Sequence, residues 1–211
     1  MTRWYGQVLN RIRSIIILLF GFIIITTSSS CTKVGTVIGA GARAGLAIAE
    51  ERSVRTVISD AALKLSVNKG LLENSFENLF WTVKTTVFEG RVLLTGGVET
   101  EQLRDQASEI VWAVDGVREV LNELQLIRDK SVADSVRDKM IVVSLHSKIV
   151  GDKKITGINY KIVTYNRTIY LIGVAQTQGE LDRIVTYARS IRYVRRLVNY
   201  VLLVQDERRA Y

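Results

Sequence analysis

Apolar positions along the chain follow two spacings, one helical and one alternating, and both occur in the same order twice. In the first half, Asp60 precedes a helical pattern, and a half-buried strand with alternating apolar positions follows from Trp81. Glu89-Gly90 predicts a tight turn. The returning strand "RVLLTG" is predicted to end at its glycine, and residues 100–114 predict a second amphipathic helix. The inward positions of the two helices are Leu63, Val67, Leu71, Leu103, Ala107, Ile110, Val111 and Val114.

The second half repeats this order of elements. Asp138 precedes its first helical pattern, and a hairpin turns at Asn166. The stretch Thr177-Gln-Gly-Glu180 is typical of a capping box, which predicts the start of the next helix. The inward positions of its two helices are Ile141, Leu145, Ile149, Leu181, Ile184, Ala188 and Ile191.

The last strand of each half carries the clearest repeat. Residues 117–126 read "VREVLNELQL" and residues 194–203 read "VRRLVNYVLL", so equivalent positions stand 77 residues apart. Gly116 precedes the first copy and predicts a glycine cap on the preceding helix. Tyr193 occupies the equivalent place before the second copy, which predicts a different cap there.

Each half therefore predicts a small αββαβ unit, one at residues 52–130 and one at residues 134–205. The hairpin pairs two antiparallel strands, and a right-handed helical crossover brings the last strand in parallel. The fold class is α+β, with two tandem domains, each a three-stranded mixed sheet covered by two helices. Units this small bury little surface, so we expect the two to stabilise each other.

The first 51 residues have a different character. A basic start and an apolar stretch at residues 15–25 lead through small residues to Cys31, the only cysteine. The stretch is too short to span a bilayer and is typical of a secretory signal. It resembles a bacterial lipoprotein signal, which implies a signal peptide at residues 1–30 and a palmitate-bearing Cys31; an uncleaved signal anchor is the alternative. Residues 31–51 predict a flexible tether rich in small residues.

Charge divides the chain unequally. The net charge is +8, but residues 52–130 hold 10 Lys and Arg against 12 Asp and Glu, whereas residues 134–205 hold 12 against 5. The two balances are −2 and +7, so the positive potential belongs to the second unit. Such a unit attracts polyanions, among them nucleic acid and anionic membrane. The predicted export argues against nucleic acid, although tyrosines interleave with basic residues at 187–200.

Enzymatic chemistry has little support in the sequence. The only histidine, His146, lies in a helical pattern, and the only cysteine lies at the predicted anchor, so no nucleophile–base–acid set is indicated. No His, Cys and carboxylate cluster has metal-ligand spacing. We therefore expect a binding protein, with no catalytic site, metal site or cofactor.

The repeated pattern of strand, glycine, helix, Gly-Val and Val-x-Asn strand resembles the BON domain. Two copies behind a lipoprotein signal resemble the dual BON-domain outer-membrane lipoproteins of the DolP type, over nearly all of residues 31–205. The resemblance implies a lipid-anchored protein on the periplasmic face of the outer membrane. It further implies anionic phospholipid binding through the first helix of the second domain, support of envelope integrity, and links to the barrel-assembly machinery or other envelope proteins.

The first helix of the second unit carries an outward apolar face that a solvated helix has little reason to show. Basic residues flank that face, and an apolar wedge with a basic collar is how a helix lies on a lipid surface. The alternative is that this face packs against the other domain. A structural adaptor that binds a protein or glycan partner, with membrane attachment by lipid only, also stays open. The predicted phospholipid-binding residues are Val136, Lys139, Met140, Val143 and Lys148.

Overall fold

Each half of the chain folds as helix, hairpin, helix and strand. The computed structural model describes residues 54–127 and 132–209, all within the compact unit Leu46–Tyr211, so the predicted signal peptide, tether and Cys31 lie outside the described residues. The first half comprises α1 (Val54–Ser75), a π-helical turn (Phe76–Phe80), β1 (Val83–Phe88), β2 (Arg91–Val98), α2 (Glu101–Trp112) and β3 (Glu119–Leu126). The second half comprises α3 (Val132–Val150), a 3-10 turn (Gly157–Asn159), β4 (Tyr160–Tyr165), β5 (Thr168–Ala175), α4 (Gln178–Ser190) and β6 (Arg196–Leu203), and a 3-10 turn (Glu207–Arg209) follows.

Each domain contains one three-stranded mixed sheet. The central strand, β2 or β5, is antiparallel to the strand before it and parallel to the strand that returns after the helix. Both helices of each domain pack on one face of its sheet, and the predicted inward residues form the two separate cores. The predicted α+β fold with two αββαβ units is therefore confirmed.

The opposite faces of the two sheets pack on each other. Side chains from both sheets form a third core between the domains, and its buried members are Phe88, Leu93, Leu121, Tyr170, Ile172 and Val174. At its edge, the Tyr200 hydroxyl donates a hydrogen bond to the carboxylate of Glu123, 77 residues earlier. Because 77 is also the repeat spacing, equivalent positions face each other, as they do across the two-fold axis of a symmetric dimer.

Asp60 and Asp138 have a different role from the one that the sequence predicts. The helices begin at Val54 and Val132, so both aspartates lie inside helices rather than before them. Both are buried. The Asp60 carboxylate accepts hydrogen bonds from the backbone N–H groups of Glu89 (2.8 Å) and Gly90 (2.9 Å), the two turn residues of the first hairpin. Asp138 accepts from the equivalent turn of the second hairpin, so each aspartate holds its own hairpin against its first helix.

Two strand ends also differ from the prediction. Trp81 precedes β1 and is 70% exposed, so its assignment to a half-buried strand is wrong. β2 does not stop at Gly96 but continues to Val98. Gly96 is required within the strand, because a Cβ there would collide with the carbonyl oxygen of Thr82 and its φ is +136°.

The caps of the second helices follow the sequence only in part. Helix α2 ends at Trp112 with Ala113 in the αR region as its C-cap, whereas α4 ends at Ser190 with an extended Ile191, so the prediction of different caps is confirmed. The prediction of Gly116 as the cap is wrong, because Gly116 lies beyond Ala113. Gly116 and Tyr193 nevertheless share a positive φ, +91° and +75°, in the turn that follows each helix.

At the start of α4, the Thr177 hydroxyl accepts from the N–H of Glu180 (3.2 Å) as predicted. The Glu180 carboxylate does not complete the capping box, because it accepts from the N–H groups of Thr156 (2.7 Å) and Gln176 (2.8 Å).

Candidate functional site

Helix α3 presents one apolar face to the core and another to solvent. Ile141, Leu145 and Ile149 are buried in the core of the second domain. The opposite face has the residues that we call the outward stripe, which are Val136 (53% exposed), Met140 (51%), Val143 (68%) and Val150 (69%). The structure thus brings the three predicted apolar residues together on one surface with Val150, which the helical spacing also places on this side of α3.

The domain–domain contact leaves the outward stripe uncovered. The two domains pack through their sheets, on the side away from the helices. Val136, Met140 and Val143 therefore do not pack against the other domain, which was the alternative for this face.

The two predicted lysines lie on opposite flanks of the stripe. At about 100° per residue, Lys139 falls on one side and Lys148 on the other, and both are exposed. The Lys148 ammonium lies 5.5 Å from the centroid of the Tyr187 ring on α4, within cation–π range. Lys148 is thus directed toward α4, whereas no such contact of Lys139 is seen among the described residues.

The five carboxylates of the second domain have hydrogen-bond or ion-pair partners within that domain. Asp138 and Glu180 accept hydrogen bonds from backbone N–H groups. Asp134 pairs with Arg137 (3.1 Å), and Asp182 accepts from Gln178 (2.7 Å). The fifth carboxylate, Asp152, pairs with an arginine of α4.

Asp152 is the centre of a polar cluster just after α3. The backbone N–H of Lys154, the Tyr187 hydroxyl and the Arg183 guanidinium all donate to its carboxylate and lower the pKa of Asp152 to about 2. The same contacts raise the pKa of Tyr187 and of Arg183. The cluster ties the C-terminal end of α3 to α4 and so fixes the helix that carries the outward stripe.

The first domain provides a comparison for this surface. Its first helix exposes Leu65 (71%), so an outward apolar side chain is not peculiar to the second domain. Its lysine Lys69 pairs with Glu73 (3.6 Å) on the same helix. The difference between the two surfaces is therefore mainly electrostatic, with net charges of −2 and +7.

The described residues were also compared with what a catalytic site, a metal site and a membrane-spanning helix require. His146 is exposed on α3, and in residues 54–127 and 132–209 no group of three His, Cys, Asp or Glu side chains could hold a metal ion. Among the helices of these same ranges, none has both the length and the apolar character needed to cross a bilayer.

One structural site was missed by reasoning from the sequence. The Arg209 guanidinium, in the last described turn, donates to both carboxylate oxygens of Glu89 (3.0 and 2.7 Å) in the first hairpin turn. The side chains are only 14% and 4% exposed, so this is a buried ion pair between the ends of the two domains. The residues lie 120 positions apart, and no local pattern of charge or hydropathy could have paired them.

Comparison with known proteins places both units in one family. The BON domain model matches residues 59–128 and 137–205. An "uncharacterized protein in gshII 5′ region" of Anaplasma centrale is 32% identical over 153 residues, covering 72% of this chain and 99% of that protein. The outer membrane lipoprotein DolP of Haemophilus influenzae is 28% identical over 165 residues, covering 78% and 85%. Among solved structures, the C-terminal domain of CdsD, a structural protein of the type III secretion system of Chlamydia trachomatis, aligns over 68% of this chain and 66% of that chain, with 18% identity and a TM-score of 0.28.

Proposed function

This chain belongs to the BON-domain family, and on that premise we propose that it is a lipid-anchored outer-membrane protein whose second domain binds anionic phospholipid. The outward stripe of α3 is the observation that carries the proposal, because exposed aliphatic side chains stand there on a domain with a net charge of +7. Support of outer-membrane integrity and contact with the barrel-assembly machinery belong to the same proposal. We propose no enzymatic activity.

Two physical terms would hold α3 on a membrane. Burying one large apolar side chain contributes up to about 1.5–3 kcal/mol, and less when insertion is partial. Each lysine near an anionic surface adds about 1 kcal/mol. The lysine term is screened by salt, since the Debye length falls from ~10 Å at 0.1 M to ~3 Å at 1 M, whereas the apolar term is not.

Vesicle flotation of the unit Leu46–Tyr211, which lacks the anchor, tests the proposal. Met140→Glu should weaken binding to anionic vesicles at every salt concentration, because it removes apolar contact and adds repulsion. Lys139→Ala should weaken binding mainly at low salt. Ala62→Glu is the matched control, because Ala62 is the exposed equivalent residue on α1.

Circular dichroism of each variant first establishes that it is folded. If Met140→Glu binds vesicles as the wild type does and Ala62→Glu loses binding, the membrane-binding surface lies on the first domain instead. No binding of the wild-type unit at low salt would favour the adaptor function, with membrane attachment by lipid alone.

The anchor has its own test at Cys31. Lipidation of a lipoprotein requires the thiol of this residue, so Cys31→Ser should abolish incorporation of an alkyne-labelled fatty acid and leave the chain outside the outer-membrane fraction. Equal labelling of the wild type and Cys31→Ser would exclude Cys31 as the lipid attachment site.

A further inference from the structure

A cleft of about 780 Å³ opens between the first helices of the two domains. Its walls are α1 and α3, and its floor is formed by the edge strands β1 and β4. The wall residues are Val57, Ala61 and Lys64 on α1, and Val142, His146 and Val150 on α3. Sites for small ligands commonly enclose about 300–1,000 Å³, so the cleft is large enough for one.

The lining of the cleft is mostly aliphatic. Val87 on β1 and Ile162 and Val163 on β4 line it, together with Ile155 and Ile158 from the segment before β4. Such a surface offers an alkyl chain dispersion contacts and removal from water. A flexible hydrocarbon chain fits an open, mostly aliphatic surface better than a polar metabolite, which would need hydrogen-bond partners.

The charged groups of the cleft favour an anion. Lys64 and Lys161 are both exposed and line it from different domains. Asp60 is the only acidic residue among its described lining residues, and its carboxylate already accepts from the N–H groups of Glu89 and Gly90. The two exposed ammonium groups thus outnumber the one carboxylate, which is buried, and this balance favours an anionic head group.

The cleft is continuous with the outward stripe, because Val150 belongs to both. We propose that the cleft is a binding site for one anionic single-chain amphiphile, with the alkyl chain along the floor and the carboxylate or phosphate at Lys64 and Lys161. A fatty acid and a lysophospholipid share this chemistry. The site goes beyond the proposed membrane surface, since it takes one molecule between the two domains.

Photocrosslinking of the full chain in isolated membranes tests this site. The probe is tetradecanoate with a terminal diazirine, and mass spectrometry maps the labelled residues. Label should map to lining residues such as Val142 and Ile162. Ala61→Trp, which fills the cleft from an exposed helix position, should lower labelling at least tenfold. Ala62→Trp on the same helix lies outside the lining and should label within twofold of the wild type.

The head-group preference is read from competitors and charge variants. Excess unlabelled tetradecanoate or lysophosphatidylglycerol should suppress labelling. The competitor that suppresses it at the lower concentration shows whether the site prefers a fatty acid or a lysophospholipid. Tetradecanol should suppress it at least fivefold less. Lys64→Glu combined with Lys161→Glu should lower labelling at least fivefold. Lys69→Glu, the control on α1, should not lower it.

Failure of this site is distinguishable from failure of the membrane surface. Met140→Glu tests the membrane surface and should leave cleft labelling of the lipid-anchored chain within twofold. Label that maps outside the cleft would overturn the proposal. Equal labelling of Ala61→Trp and Ala62→Trp would also overturn it, provided that limited proteolysis shows both variants to be folded. Loss of a crosslinked protein partner in Ala61→Trp, without any amphiphile labelling of the wild type, would overturn it in favour of a protein occupant.

Discussion

The hairpin turn of the second domain depends on one buried carboxylate. Asp138 accepts hydrogen bonds from the backbone N–H groups of Asn166 (2.9 Å) and Arg167 (2.6 Å). Both turn residues have positive φ, +47° and +61°, a conformation that residues other than glycine adopt at a cost. Asp138→Ala therefore removes two charge-assisted hydrogen bonds from a turn that needs them.

The magnitude follows from what the substitution leaves behind. A hydrogen bond to a charged group contributes ~1.5–3 kcal/mol, and an unsatisfied buried N–H adds a desolvation penalty. Two such bonds share one carboxylate and are not additive, so we expect the free energy of unfolding to fall by about 3–5 kcal/mol. Asp60→Ala should cost a similar amount, because Asp60 makes the same two contacts in the first domain.

Urea unfolding of the unit Leu46–Tyr211, followed by circular dichroism, measures this loss. With a slope of ~1–3 kcal/mol/M, a loss of 3 kcal/mol moves the midpoint by ~1–3 M. Asp182→Ala is the control, because Asp182 is an exposed acid of the same domain and should change stability by less than ~0.5 kcal/mol. A loss below ~1 kcal/mol for Asp138→Ala would show that the turn forms without its carboxylate and would refute the reasoning.

Two further predictions concern the other buried or clustered carboxylates. Glu89→Ala or Arg209→Ala should each lower the free energy of unfolding by about 3–5 kcal/mol, because either change removes a largely buried ion pair. The double variant should lose less than the sum, since both changes remove the same pair; additive losses in the thermal or urea midpoints would contradict a direct pair. The pKa of Asp152 lies at about 2, below 3.8, so its ionised form stabilises the fold above about pH 4 and that contribution is lost as the pH falls through 2. Asp152→Asn should therefore lower the thermal midpoint at pH 7 and less so toward pH 2; a constant difference across that range would contradict the role of its charge.

Sequence alone determined the elements and the two domain cores. Helical and alternating spacings are local, because the side chains of one face recur every three to four or every two residues. They identified Leu63, Val67 and Leu71, and Ile141, Leu145 and Ile149, all of which are buried in the structure. They also separated the outward stripe from the inward face of α3. The 77-residue repeat predicted two copies of one fold.

An asparagine occurs at the same place in both copies of the motif, at Asn122 and Asn199, and only the structure explains why. Asn122 donates to the carbonyl oxygen of Arg104 (2.8 Å) on α2 and accepts from the N–H of Leu124 (3.1 Å). Asn199 accepts from the N–H of Val201 (3.1 Å) in the same way. The motif shows that the residue recurs, but the reason for it is contact with neighbouring backbone.

Tertiary structure decided how the two domains meet and which polar groups they use. The face-to-face packing of the sheets, the Glu89–Arg209 pair and the cleft between α1 and α3 join residues that are distant in the sequence. The separations run from 41 positions for Gln125 and Asn166 to 120 positions for Glu89 and Arg209. Local periodicity carries no information about such pairs, because it indicates which face of a helix or strand a side chain lies on and not which residue it contacts. Asp60 and Asp138 read as helix starts for this reason: their carboxylates accept from turns about 29 residues further along the chain, which only the folded chain brings within reach.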